Sequence, residues 1–250
     1  MNVYDGLNDL PNLNAPVVTV GSFDGLHKGH RFLLDILKER AAETGGESTV
    51  ITFGAHPRLV LSKEKSLKLL TVRDEKIILL SEIGIDNVVI IPFDEQFSRI
   101  SAQCFVEDIL IGAIGARSMV VGYDHHFGHN RIGDFGFLEN IRKKFGFEIF
   151  EAPEFDCEGL KVNSTEIRNA IRQGEMDSAA SLLGYRYMVL ARKNHEGIIT
   201  PVSEQKLLPP NGTYRAEVFG EHHTVKISDG AICFPSGVWV SSTEAFIITF

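Results

Sequence analysis

From Val17 to about Phe155, short runs rich in Val and Ile alternate with longer segments of helical period. That alternation is the pattern of βα units wound around a parallel sheet, and it leaves a chain few other folds. The apolar runs predict strands at Val17–Phe23, Ser48–Phe53, Asn87–Phe93, Ser118–Tyr123 and Glu148–Ala152. Each is nearly continuous in apolar residues, as strands covered on both faces should be. Between them Phe32, Leu33, Ile36 and Leu37 share one helical face, as do Ile77, Leu80 and Ile83, and roughly Phe105, Ile109 and Ile114. These faces are expected to cover the sheet.

After Asn163 the texture changes. Two short helices are predicted, Thr165–Arg172 and Met176–Leu183, the second ending at Gly184, where a left-handed stop favours glycine. From Tyr187 onward the pattern alternates and breaks at turn residues, predicting strands at Met188–Arg192, Thr213–Phe219, His223–Ser228, Val238–Val240 and Ala245–Phe250. The reading is a Rossmann-like α/β domain over residues 1–185 and a small antiparallel β domain over residues 186–250, a size marginal for a single core. The 250 residues suit one full domain plus such an appendage.

Composition removes several classes of function. Lys and Arg number 25 against 33 Asp and Glu, a net charge of −8, the wrong sign for gripping nucleic-acid phosphates over a broad surface. Any phosphate would be held in a local pocket. The three cysteines, Cys104, Cys157 and Cys233, are odd in number and far apart, which fits thiols of a reducing compartment and suggests the cytoplasm. No run of ~18 apolar residues occurs, and the first sixteen residues carry acidic groups and no apolar stretch, so neither secretion nor membrane spanning is expected.

Chemistry concentrates at strand ends. Gly21-Ser22-Phe23-Asp24-Gly25-Leu26-His27-Lys28-Gly29-His30 lies where the first predicted strand turns into a helix. In an open α/β sheet that junction faces ligands, and a helix start offers unpaired N–H groups and partial positive charge to an anion. Gly21, Gly25 and Gly29 permit close backbone approach, and His27 and His30, one helical turn apart, can address the same phosphate. The plainer alternative is a Gly-rich turn with two exposed histidines. Asn163-Ser164-Thr165-Glu166-Ile167-Arg168 is either an ordinary cap, with Ser164 or Thr165 at the helix start, or a second phosphate clamp of hydroxyls and guanidinium. Gly122 to Asp134 includes His125, His126 and His129, whose spacing loosely invites a metal, although adjacent histidines on extended chain point opposite ways. Phe53-Gly54-Ala55-His56-Pro57 places an aromatic ring at a strand end, readable as core or as a ligand wall.

Together these four stretches resemble the bacterial flavin adenylyltransferases, the bifunctional riboflavin kinase/FAD synthetases of the nucleotidyltransferase superfamily. The family's Gly-x-Phe-Asp-Gly-x-His-x-Gly-His is matched at every fixed position by Gly21 to His30, and its Gly-x-x-x-x-Phe-Gly-x-x-Arg-x-Gly-Asp by Gly122 to Asp134. The resemblance covers roughly residues 15–185. It implies that His27 and His30 are catalytic and bind the ATP phosphates. It implies that Gly21, Phe23, Asp24, Gly25 and Gly29 shape that site, and that Ser164, Thr165 and Arg168 clamp the same phosphates. Phe53, His56, Pro57, Asp124 and Phe127 would line the flavin. Mg²⁺ would accompany ATP, with protein ligands not assigned, and FMN and FAD would be substrate and product. No nucleic-acid or membrane partner is implied.

Two motifs depart mildly: the family's Phe-x-Pro-His-Pro is Phe53-Gly54-Ala55-His56-Pro57 here, and its Ser-Ser-Thr-x-Ile-Arg begins at Asn163. A larger departure lies in the tail. The family's kinase module is about twice as long and carries Gly-x-Pro-Thr-Ala-Asn, which does not occur in residues 187–250. The expectation is an FMN adenylyltransferase with a shortened kinase-like domain and no riboflavin kinase activity. Two readings stand beside it: transfer of AMP or CMP to another phosphorylated small molecule, and a non-catalytic flavin- or nucleotide-binding protein.

Overall fold

The computed structural model describes residues 1–61, 67–123, 135–155, 162–235 and 244–250. The chain divides into two compact units. One comprises Met1–Phe23, His30–Leu67 and Leu79–Asp156, and the other Asp24–Gly29, Lys68–Ile78 and Cys157–Phe250.

The first unit is built on a six-stranded parallel sheet: β1 (Asn2–Asp5), β2 (Val17–Val20), β3 (Ser48–Phe53), β4 (Asn87–Ile91), β5 (Ser118–Val121) and β6 (Glu148–Glu151). Their order is β1-β4-β3-β2-β5-β6. All five predicted strands are present, most ending one or two residues early. β1 escaped the sequence pattern because an edge strand of four largely exposed residues carries no apolar run. It is fixed by parallel pairing of Asn2 to Asp5 with Asn87 to Ile90 and by an Asn2 Nδ2 to Asn87 Oδ1 hydrogen bond of 3.1 Å.

The helices in chain order are α1 (Lys28–Thr44), α2 (Pro57–Leu61), α3 (Arg73–Ile83), α4 (Ala102–Cys104) running into a π-helical segment Phe105–Ala113, α5 (Phe135–Phe145), α6 (Ser164–Gln173) and α7 (Met176–Leu183). Two faces differ from expectation. In α1 the buried stripe is Leu34, Leu37 and Ala41, with Phe32, Leu33 and Ile36 at its half-buried margin, because the apolar arc is wider than one stripe and its centre faces inward. In α3 the buried face is Glu75, Lys76, Leu79 and Leu80, and Ile77 and Ile83 are half-buried. Two charged side chains occupy it because they find partners there. The Phe105, Ile109 and Ile114 face is buried as expected, joined by Val106 and Leu110 in a core with Val18, Val20, Ile51, Val89 and Met119.

The second unit holds a six-stranded antiparallel sheet of β7 (Met188–Lys193), β8 (Ile199–Pro201), β9 (Gly212–Val218), β10 (Glu221–Ser228), β11 (Ala231–Cys233) and β12 (Phe246–Thr249), in the order β11-β10-β9-β12-β7-β8. The edge strands β11 and β8 approach each other, so the sheet curls into a nearly closed partial barrel. Its core joins Val189, Ala216, Val218, Val225, Ile227 and Ile248 to Ile167 and Ile171 of α6 and to Leu183 of α7. β8 and β11, three residues each, were not predicted, being too short to show alternation. The predicted strand Val238–Val240 lies outside the described residues. α7 stops at Gly184 with φ 82°, the left-handed cap the sequence indicated.

Candidate functional site

In the parallel sheet β3 and β4 lie to one side of β2, and β5 and β6 to the other. The order reverses between β2 and β5, and in such sheets ligands settle at the carboxyl ends of the strands beside that reversal. β2 runs out there into Gly21, whose N–H donates to the Ile51 carbonyl at 3.0 Å. A Cβ on Gly21 would stand 3.0 Å from the Phe23 ring, which is buried and meets the His30 ring edge-on at 5.3 Å. The following turn is tightly wound: Phe23, Gly25 and Leu26 have φ of 47°, 89° and 40°. Leu26 and Phe23 hold left-handed backbone without being glycine, a conformation that persists only where surrounding contacts impose it.

Asp24 supplies those contacts. The residue is 2% exposed, and its Oδ1 accepts from the Leu70 and Thr71 amides, both at 2.9 Å. Oδ2 accepts from Arg168 Nη2 in a buried ion pair. Thr71 Oγ1 accepts from the Gly25 amide at 3.0 Å, the Ser164 hydroxyl donates to the Asp24 carbonyl at 2.9 Å, and the Tyr185 hydroxyl donates to the Gly25 carbonyl at 2.6 Å. The turn is thereby tied on both sides.

His27 closes the turn just before α1 begins at Lys28. It is buried, against the exposed alternative, and burial lowers its pKa from 6.5 to about 4, with the Asp24 carboxylate opposing the shift. At neutral pH the imidazole is uncharged, a donor and acceptor of hydrogen bonds. His30 sits in the first turn of α1 and is half-buried. Lys76, which the sequence did not single out, is also buried, and desolvation brings its pKa from 10.5 to about 8, again with Asp24 opposing. It remains mostly protonated at neutral pH. A lysine in the second turn of a helix gives no sequence signal of this kind.

At the start of α6 the cap is Asn163: its side chain accepts from the Thr165 and Glu166 amides. Neither Ser164 nor Thr165 caps, because Asn163 alone holds the extended backbone that turns a short oxygen back onto the first turn. Ser164 faces Asp24, while Thr165 is exposed. Arg168 is 4% exposed, with Nε donating to the Lys68 carbonyl at 3.0 Å and Nη1 to the Ser164 carbonyl at 3.1 Å besides its bond to Asp24. Its guanidinium lies among protein acceptors.

At the ends of β3 and β4, Phe53 is half-buried and meets Phe93 and Phe97 edge-on at 5.1 and 6.1 Å. His56 Nδ1 accepts from the Arg58 amide at 3.2 Å, and Pro57 opens α2, where a missing N–H costs nothing. Asp124 and Phe127, and His125, His126 and His129, lie outside the described residues. Among the described residues no three His, Cys, Asp or Glu side chains gather as a metal site.

The sequence profile of the FAD synthetase family matches residues 10–166. A bifunctional riboflavin kinase/FMN adenylyltransferase of Pseudomonas fluorescens is 35% identical over 219 residues, covering 87% of this chain and 68% of that protein. One from Escherichia coli K12 is 32% identical, covering 88% of this chain and 74% of that protein. A crystal structure described as a macrolide-efflux protein from Streptococcus pneumoniae superposes with a TM-score of 0.81 at 22% identity, over 100% of this chain and 89% of that one, a likeness of fold.

Proposed function

We infer that this chain, which belongs to the FAD synthetase family, transfers the adenylyl group of ATP to FMN. A phosphate oxygen of FMN attacks the α-phosphorus, the bond to the bridging oxygen of the β-phosphate breaks, and pyrophosphate leaves with that electron pair. FAD is the product. The observation that carries the reading is the Gly21–His30 turn: it leaves the sheet at the strand-order reversal and opens directly into α1.

Such a transfer asks the protein mainly to hold two substrates in line and to meet charge gathering on the leaving group. The first-turn amides of α1, with His27 and His30, are proposed to receive the polyphosphate, and Thr165 at the exposed start of α6 to add a hydroxyl. Gly21, Gly25 and Gly29 let the backbone approach. Asp24, Phe23, Ser164 and Arg168 serve the same site by holding the turn. Phe53, His56 and Pro57 are proposed for the flavin side, with Asp124 and Phe127. Mg²⁺ enters as part of the substrate, bound to the ATP phosphates. The proposal gives the chemistry to residues 1–185 and no separate kinase step to residues 186–250.

No helix among the described residues is long and apolar enough to cross a membrane. The free thiols of Cys104 and Cys233 support a cytoplasmic placement.

Incubation with ATP, Mg²⁺ and FMN is expected to yield FAD and pyrophosphate in equal amounts. The folded His30→Ala variant should turn over ~10²-fold more slowly, since it loses a group placed at the developing charge. Folded wild-type protein that leaves FMN unchanged would overturn the reading, and an unaltered kcat in His30→Ala would remove that histidine from it.

A further inference from the structure

Inside the second unit, two oppositely charged side chains are wholly buried. Lys206 and Glu75 both have 0% side-chain exposure and meet at 2.7 Å. Apolar residues of similar volume often serve stability as well as such a pair, so its presence calls for another account. Where the remaining bonds go supplies one. Glu75 Oε2 accepts from the Val72 amide at 3.0 Å and Oε1 from the Leu190 amide at 2.7 Å, while Lys206 Nζ donates to the Leu70 carbonyl at 2.5 Å and lies 4.1 Å above the Tyr187 ring. The pair therefore fixes the backbone of residues 70, 72 and 190. The same stretch is held by parallel pairing, with the Leu69 amide donating to the Gln205 carbonyl at 2.7 Å and the Leu207 amide to the Leu69 carbonyl at 2.9 Å.

Leu70 has two hydrogen-bonding sides. Its carbonyl takes Lys206, and its amide, with that of Thr71, donates to Asp24. Thr71 in addition accepts from Gly25. The path from Lys206 through Leu70 to Asp24 ends in the turn that carries His27.

We propose that the Lys206–Glu75 pair positions the His27 turn for adenylyl transfer, so that residues of the C-terminal β region set the rate of a reaction whose groups lie elsewhere in the sequence. Lys206 and Glu75 are positioning residues in this account, and it rests on the adenylyl-transfer reading.

The test is the double variant Glu75→Met/Lys206→Met, which replaces both charges by unbranched apolar chains and leaves no lone charge buried. Thermal unfolding reports the fold, FAD formation reports kcat and KM, and NMR reports the His27 ring signals, assigned by their loss in His27→Gln. The expected result is a folded protein whose kcat falls by ~10- to 100-fold with little change in either KM, and whose His27 signals move. Glu75→Gln/Lys206→Met, which keeps a side-chain oxygen to accept from the Val72 or Leu190 amide and removes the Lys206 bond to Leu70, replaces the double variant if that one does not fold. Folded variants with wild-type kcat and unmoved His27 signals overturn the proposal. If wild-type protein makes no FAD, the adenylyl-transfer reading fails by itself, and the NMR comparison still decides whether the pair positions the turn.

Discussion

His27 is kept neutral by its burial, and that leaves a mark on stability. Its folded pKa of about 4 lies below the ordinary 6.5, so between those values the unfolded chain binds the proton and the folded one does not. The stabilisation is complete above pH 6.5 and is lost as pH falls toward 4. The difference between those two values corresponds to roughly 3 kcal/mol. Urea unfolding of the wild type and of His27→Gln should show this as a difference: the variant loses the part of the pH slope between 6.5 and 4 that His27 supplies. Parallel slopes in that window would mean that His27 titrates alike in both states.

At the scale of elements, the turn between β2 and α1 depends on backbone that side chains rarely adopt. Gly25 has φ 89°, and a Cβ there would stand 2.8 Å from Leu70 Cδ1. Gly25→Ala therefore meets both a strained dihedral and a collision with the residue whose amide holds Asp24. The expected cost is ~1–3 kcal/mol, lowering Tm by several degrees, with kcat reduced as the turn shifts. An unchanged Tm would show that the turn relaxes without strain. Helix α6 contributes in a different way: Asn163 starts it, and Ser164 and Arg168 then reach Asp24 from its first turn and a half.

For the whole molecule, the C-terminal strand β12 lies inside its sheet, paired with β7 and β9, and Ile248 and Phe250 enter the same core as Ile167 and Leu183. The β region is therefore built together with α6 and α7. Residues 187–250 contain no Pro-Thr-Ala-Asn sequence. These 250 residues are expected to accept FMN and not riboflavin. Supplying riboflavin, ATP and Mg²⁺ should leave riboflavin unphosphorylated, and FMN appearing at a rate comparable with FAD formation would overturn that expectation.

The parallel sheet was legible because Val17–Val20, Ser48–Phe53 and Asn87–Ile91 are apolar on both faces, and burial of that kind is written in local composition. The histidine turn was legible because glycines and histidines at fixed spacing follow such a strand. Tertiary structure alone decided which polar groups pair with one another around the turn. Asp24 and Arg168, both expected at the phosphate site, are joined to each other across 144 positions. Glu75, Lys76 and Lys206 carried no pattern at all, since a charge reads as solvent-facing wherever the sequence does not show its partner. A buried charge is stable only with its partners in place, and Glu75 and Lys206 are 131 residues apart. Only the folded chain brings them together.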